Sequence, residues 1–461
     1  MYDTIIIGAG MSGLAAGIRL AYYDQKVCIL ERHYTIGGLN SFYRLKGRDY
    51  DVGLHAVTNF QPKGAHKGPL ARLLRQLRLK WEDFALAPQV GSAVAFPDVR
   101  MDFSNDPQQL ENAVAESFPH EIDNFRQLVE NLLEYDELND EVFHLSTREI
   151  LAETIRDPLL REMILCPLMW YGNPREGDMD YGLFCIMFRS IFLEGFARPH
   201  AGVRLILKTL IRRFRSLGGE LKLRSGVQRI KVDGDHAASV VLDNGEELVG
   251  NKILSSAGIV ETLRLCDDIN EPEQIHSPGQ ISFTESISVL DCQPKELGHD
   301  RAVLFFNDSE NFHWESPSDR LCDVRTGVVC SPNNFLYGAD DEEIDGVIRV
   351  STMASYKGWT DLEDEKYPLE KLKWFDKINS SATKFCPDFR HRVIDTDMFT
   401  PRTIHRFTWH DNGAVYGAPD KKLDGTTHLK NLFICGTDQG FVGIIGTIVS
   451  GISIANQHLL R

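Results

Sequence analysis

The sequence predicts an α/β protein in two parts: a Rossmann-type parallel-sheet domain assembled from separate segments of the chain, and a mixed α+β domain made from the stretches between them. Three regions predict it. The N-terminus runs strand, glycine turn, helix, strand, acid. A middle stretch carries Gly218-Gly219-Glu220, then Gly226 to Ile230, then Ile253 to Gly258. The C-terminus holds a strand ending in glycine and an acid, followed by an apolar helix.

Taken in order, Thr4-Ile5-Ile6-Ile7 is a short apolar strand and Gly8-Ala9-Gly10-Met11-Ser12-Gly13 is the turn. Leu14, Ala15, Ala16, Ile18 and Leu20 repeat at helical spacing, and Val27-Cys28-Ile29-Leu30 is a second strand that ends on Glu31. This is the βαβ pattern of a dinucleotide site. Gly8 permits the tight turn, Gly10 lets the backbone approach a pyrophosphate, and Gly13 lets the helix pack close to the strand. The helix N-terminus offers free N–H groups to phosphate, with Ser12 in its first turn. Glu31 can accept from ribose hydroxyls. No second such turn is visible, so a built-in nicotinamide-dinucleotide site is not expected.

A second glycine pair follows soon after the acid: Arg32, then Ile36-Gly37-Gly38-Leu39-Asn40-Ser41, then Asp51-Val52-Gly53-Leu54-His55. A plain NAD domain has no need of it. The arrangement resembles the flavin amine oxidase and phytoene desaturase superfamily, where these segments line FAD from ribose to flavin ring. The middle and C-terminal stretches continue the resemblance. It implies that Val227 touches the adenine through backbone atoms, that Ala257 lies in the second FAD segment, and that Gly436 and Asp438 meet the ribityl and phosphate region. A helix starting near Gly446, with Thr447 and Ile448, would aim its positive end at the flavin. Thr400-Pro401-Arg402-Thr403 through Arg406-Phe407, then Asn412 to Gly417, resembles the carotenoid isomerase, polyene desaturase and retinol saturase branch. The implied fold is glutathione-reductase-like, and the implied cofactor is non-covalent FAD, because Cys435 stands before Gly436 at a strand end.

The same segments set the expected domains: residues 1–70, 200–275 and 400–461 for FAD, and 71–199 (helical by period) and 276–399 (sheet plus a helix over Leu369–Phe385) for substrate. In the latter, Ile281, Phe283, Ile287 and Val289 alternate on one face, which Glu285 interrupts; Val347, Arg349 and Ser351 form a similar run. Asp340–Glu343 reads as a solvated charge run.

With 461 residues, 43% hydrophobic and 25% charged, the chain has the composition of a globular protein of two or three domains, and a net charge of −16 argues against nucleic acid as a partner. Nine scattered cysteines without a CxxC predict reduced thiols and an intracellular, cytoplasmic setting; no metal cluster is expected. No apolar run reaches the ~18 residues of a membrane span, and with Met1 against the first strand no signal peptide is expected.

Met163 to Tyr171 and Tyr181 to Phe196 are strongly apolar and aromatic, fitting either a buried core helix or a wall of a hydrophobic substrate tunnel. Leu70 to Trp81 and Leu205 to Leu217 are basic and amphipathic. The second reads as an ordinary surface helix. The first also suits peripheral contact with the inner membrane face.

The resemblance implies hydride exchange between flavin N5 and an allylic carbon of a long apolar polyisoprenoid, as desaturation, saturation or isomerisation, with quinone or oxygen as electron acceptor. No nucleophile–base pair is apparent; the flavin-proximal candidates by family position are His55, His405, Trp409, His410 and Tyr416. Two alternatives compete. One is an amine oxidase with Trp409 and Tyr416 caging the nitrogen, against which no flavin-proximal lysine is identifiable. The other is a non-catalytic flavoprotein or lipid escort.

Overall fold

The computed structural model describes residues 1–135, 144–339, 341 and 344–460. Of the Asp340–Glu343 charge run, all but Asp341, an exposed residue, lies outside them.

A five-stranded sheet runs in the order Leu432–Ile434, Gly250–Ser255, Tyr2–Ile7, Val27–Leu30, Glu220–Lys222, every pair parallel. Neighbours in space thus come from three distant parts of the chain. The helices Met11–Ala21, Val203–Ser216 and Gly443–Ile454 pack with it into one apolar core that includes Leu14, Ile18, Phe214 and Ile448. A small antiparallel sheet, Val227–Asp233, His236–Leu242 and Glu247–Leu248, adjoins it.

The second sheet has seven strands in the order Val393–Phe399, Phe283–Leu290, Gly346–Ala354, Cys322–Cys330, Val303–Asn307, Ser92–Phe96, Val99–Phe103. The last two form a hairpin from within 71–199, which the helical period of that stretch concealed. The join between Ser92–Phe96 and Val303–Asn307 is parallel. Helices Pro158–Gly172 and Tyr181–Phe188 stack against this sheet in a large aromatic core.

Both basic amphipathic segments bury their apolar stripes. In the helix Pro69–Leu77, Leu70, Leu73, Leu74 and Leu77 are buried, and in Val203–Ser216 so are Ile206, Leu210 and Phe214. The apolar face of the first helix is therefore occupied by protein and is not free to enter a bilayer. Among the described residues no helix is long and apolar enough to cross a membrane. None of the nine cysteines forms a disulfide.

Candidate functional site

One continuous cleft runs from the glycine turn to the face of the seven-stranded sheet. At its first end, Gly10 caps the helix Met11–Ala21 and no side chain satisfies the first-turn N–H groups. A Cβ on Gly10 would meet no atom within 4 Å, so the backbone lies open to the cleft. Gly8 has φ +95°, and a Cβ on Gly13 would stand 2.2 Å from the Gly8 carbonyl oxygen. The three glycines thus do three different jobs: left-handed turn, open approach and close packing.

The acid beyond the second strand is anchored. The Ala9 N–H donates to Glu31 Oε2 at 2.9 Å and the His33 N–H to Oε1 at 2.9 Å, which leaves further lone pairs toward the cleft. Arg32 Nη2 donates to the Val227 carbonyl at 2.9 Å, and its guanidinium lies 3.7 Å from the centre of the Trp409 ring. His33 and Phe407 face each other at 5.3 Å. An electropositive, uncapped helix end, open backbone at Gly10 and an anchored acid next to a basic–aromatic clamp fit a pyrophosphate, ribose and adenine.

The far end is walled by Trp170, Tyr171, Phe283 and Tyr416. Trp170 and Phe283 pack at 5.0 Å, and Phe283 and Tyr416 at 5.7 Å. The Tyr171 hydroxyl is buried and has no hydrogen-bond partner among the described residues. Into this apolar wall the paired strands Phe283–Leu290 and Gly346–Ala354 bring Glu285 opposite Ser351, with Arg349 two residues away. His55 Nε2 lies 2.7 Å from Glu285 Oε2 and 3.1 Å from Ser351 Oγ, which itself donates to Glu285 at 2.9 Å. Arg349 pairs with the other Glu285 oxygen and donates to the Leu54 carbonyl at 2.7 Å. Arg198 pairs with Asp51 at 2.5 Å and donates to the same Leu54 carbonyl at 2.8 Å, fixing the segment that carries His55. Burial alone would raise the Glu285 pKa; Arg349 and then His55 outweigh it and hold the carboxyl at about 2.

Of the residues anticipated at the cofactor, Gly8, Gly10, Ser12, Glu31, Arg32, Gly37, Gly38, Leu39, His55, Val227, Ala257, Gly436 and Thr447 line the cleft. Gly13, Asp438, Gly446 and Ile448 do not. Gly13 serves packing. Asp438 is buried, and its two oxygens accept the Ile259 and Ala418 N–H groups at 2.6 and 2.9 Å, so it ties two loops together. The last helix begins at Gly443, earlier than anticipated, and turns Gly443, Ile444 and Thr447 to the cleft while Ile448 goes to the core.

Among the anticipated flavin-proximal residues, His405 does not line the cleft. It packs on Tyr356, and its Nδ1 lies 2.8 Å from the His410 carbonyl oxygen. Trp409 lies at the Arg32 end. Tyr416 lies at the aromatic end and donates to the Trp170 carbonyl oxygen. Trp409 and Tyr416 both line the cleft, at its two ends. His410 lines the cleft beside Glu261, at 3.3 Å; burial lowers its pKa, but the Glu261 carboxylate prevails and the net shift is upward. Of the two apolar stretches, Trp170 and Tyr171 reach the cleft, whereas Tyr181 to Phe196 is core. Glu285, Arg349 and Ser351 were missed as site residues, although the charge breaking an apolar strand face was their signal. Cys266, Asp268 and His428 place their ligand atoms within 4.8 Å of one another; none of the three lines the cleft.

A parallel sheet with an open glycine turn and a cleft extending to a second sheet defines a dinucleotide-binding protein. The chain belongs to the family described as flavin containing amine oxidoreductase, whose model matches residues 11–265. It is 23% identical to the chloroplastic prolycopene isomerase of Daucus carota, over 99% of this chain and 80% of that protein. It is also 23% identical to the all-trans-retinol 13,14-reductase of Danio rerio, over 99% of this chain and 86% of that one. A triple mutant of putrescine oxidase, redesigned in cofactor binding, shares the fold with a TM-score of 0.69 at 14% identity, covering 100% of this chain and 99% of that chain. The protein is an FAD-dependent oxidoreductase.

Proposed function

We propose that the enzyme acts on carbon–carbon bonds of a long apolar polyisoprenoid, by desaturation, saturation or isomerisation. The observation that carries this is the far end of the cleft: aromatic walls beside His55, which is hydrogen-bonded to the buried Glu285 carboxylate. The similarity to a prolycopene isomerase and a retinol reductase along nearly the whole chain supports the same class. When bound, FAD supplies hydride exchange at its N5. The chain supplies the rest. Trp170, Phe283 and Tyr416 exclude water and hold an apolar chain by contact. His55, oriented by Glu285 and Ser351, gives or takes the proton at the neighbouring carbon, and Glu285 stays ionised to stabilise the imidazolium. Arg349 keeps Glu285 in place. FAD is held without a covalent bond to sulfur, since no cysteine lines the cleft among the described residues. Nor does a lysine, which weighs against amine oxidation.

The test is chromatography with absorption spectra of products after linear polyprenes, carotenoids and retinoids in vesicles are incubated with the FAD-loaded protein. A quinone is supplied in one arm and a flavin reductant in the other. Longer-wavelength products mean desaturation, shorter-wavelength ones saturation, and altered isomer ratios at constant mass isomerisation. Unchanged polyenes together with flavin bleaching by simple amines would overturn the proposal.

A further inference from the structure

A second, shallower cleft lies between the end of the opening helix and the helix Pro69–Leu77. Its walls include Arg19, Arg72, Arg75 and Arg78 together with Tyr22 and Tyr23. Three of the four guanidinium groups have neutral partners, and Arg72 is exposed. Arg19 Nε donates to Asn456 Oδ1 at 2.7 Å, and Arg75 Nη1 donates to the His66 carbonyl at 2.6 Å. Arg78 lies 4.1 Å from the centre of the Tyr22 ring and Arg19 lies 4.8 Å from that of Tyr23. Among the described residues none of the four pairs with a carboxylate.

That is unexpected in this chain. It has 66 acidic residues against 50 Lys and Arg, and elsewhere on its surface Arg126, Arg264, Arg390 and Arg402 each hold a carboxylate. Four like charges on the walls of one cleft repel one another, and an anion that enters relieves the repulsion. Guanidinium forks match the geometry of phosphate oxygens, and rings stacked on them fix the forks in place. The buried leucine stripe of the Pro69–Leu77 helix excludes the alternative of helix insertion into a bilayer. What remains outward is charge.

We infer that this cleft binds phosphate, carried either by the headgroups of an acidic lipid surface or by a soluble phosphate compound. The inference rests on the arginines alone and is independent of which substrate the flavin cleft takes. Being electrostatic and exposed, the binding weakens as salt rises, because charges are screened beyond a Debye length of ~8 Å at physiological ionic strength. Each arginine removed weakens association with an acidic membrane by roughly five-fold.

The experiment uses the full-length, FAD-loaded protein. Its sedimentation with vesicles of phosphatidylcholine, with and without phosphatidylglycerol, is measured at low and high salt, and calorimetry follows titration with inorganic pyrophosphate. Arg72→Gln/Arg75→Gln is compared with Arg229→Gln, an exposed arginine outside the cleft. Both changes are on exposed side chains, so flavin content and melting temperature should stay at wild-type values. The expected result is salt-sensitive binding to the acidic vesicles, weakened roughly 25-fold by the double variant and unaffected by Arg229→Gln. Displacement by pyrophosphate would identify a lipid phosphate as the ligand. Pyrophosphate binding that the double variant loses, without vesicle binding, would identify a soluble phosphate. Binding to neither, or equal loss in Arg229→Gln, would overturn the inference.

Discussion

Glu285 is the residue on which the aromatic end of the cleft depends. It is buried, as is Arg349, and each is the other's charge partner. Glu285→Gln leaves Arg349 buried without compensation and should cost ~3–5 kcal/mol, read from denaturant melts. The pH dependence has a definite sign. The carboxyl is held at about 2 in the fold, below its ordinary 4.5. The unfolded chain therefore binds the proton first as pH falls. The stabilisation is complete above about 4.5 and is lost as pH drops toward 2. Melting temperatures across that window should fall less steeply in Glu285→Gln than in the wild type. His55→Gln separates positioning from proton transfer. Flavin content and its absorption spectrum should persist while turnover drops ~10²–10⁴-fold; unchanged turnover would refute the proton role. In the sequence, His55 was recognisable from its D-x-G-x-H setting, whereas Glu285 stood out only as a charge on an apolar strand face. Its partners became visible once the strands were paired, because the register that sets Glu285 opposite Ser351 joins positions far apart in the chain.

At the scale of the element, the glycine turn shows how local the readable part of the fold is. Strand, turn and helix are neighbours in sequence, so periodicity and three glycines specify them without tertiary information. The roles of those glycines can be separated by experiment. Gly13→Ala puts a methyl against the Gly8 carbonyl, at 2.2 Å before relaxation, and should lower the stability of the flavin-free protein. Gly10→Ala meets no protein atom, so the flavin-free protein should melt at the wild-type temperature while FAD affinity falls, as the methyl occupies the space open to the pyrophosphate. Equal melting losses in both would show that Gly10 has a packing role instead. Other elements were less readable. The hairpin Ser92–Phe96 and Val99–Phe103 was hidden in a helical region because it pairs with Val303–Asn307, a partner from the other insert. The apolar run Tyr181 to Phe196 has the same composition whether it lines a tunnel or fills a core, and only its packing against Phe103 and Phe125 makes it core.

For the whole molecule, the cleft is where the two sheets meet. Gly8, Glu31, Val227, Gly436 and Thr447 come from the three segments around the parallel sheet, while Phe283, Glu285 and Ser351 come from the seven-stranded one. A ligand in this cleft therefore touches parts of the chain that are hundreds of residues apart, and binding selects the state in which all of them are assembled. The unfolded chain holds no such cleft, so FAD stabilises the native state by mass action, by ~2.7 kcal/mol at a hundredfold excess over Kd. Flavin-free protein titrated with FAD should show a melting temperature that rises with the logarithm of free FAD. FMN lacks the adenylate half and cannot reach the Arg32–Trp409 clamp and the glycine turn together, so it should stabilise less at equal concentration. Arg32→Ala should narrow the difference between FAD and FMN by weakening FAD alone. If FMN stabilised as well as FAD, the glycine turn and the clamp would not be holding the adenylate half, and the assignment of that end of the cleft would have to be abandoned.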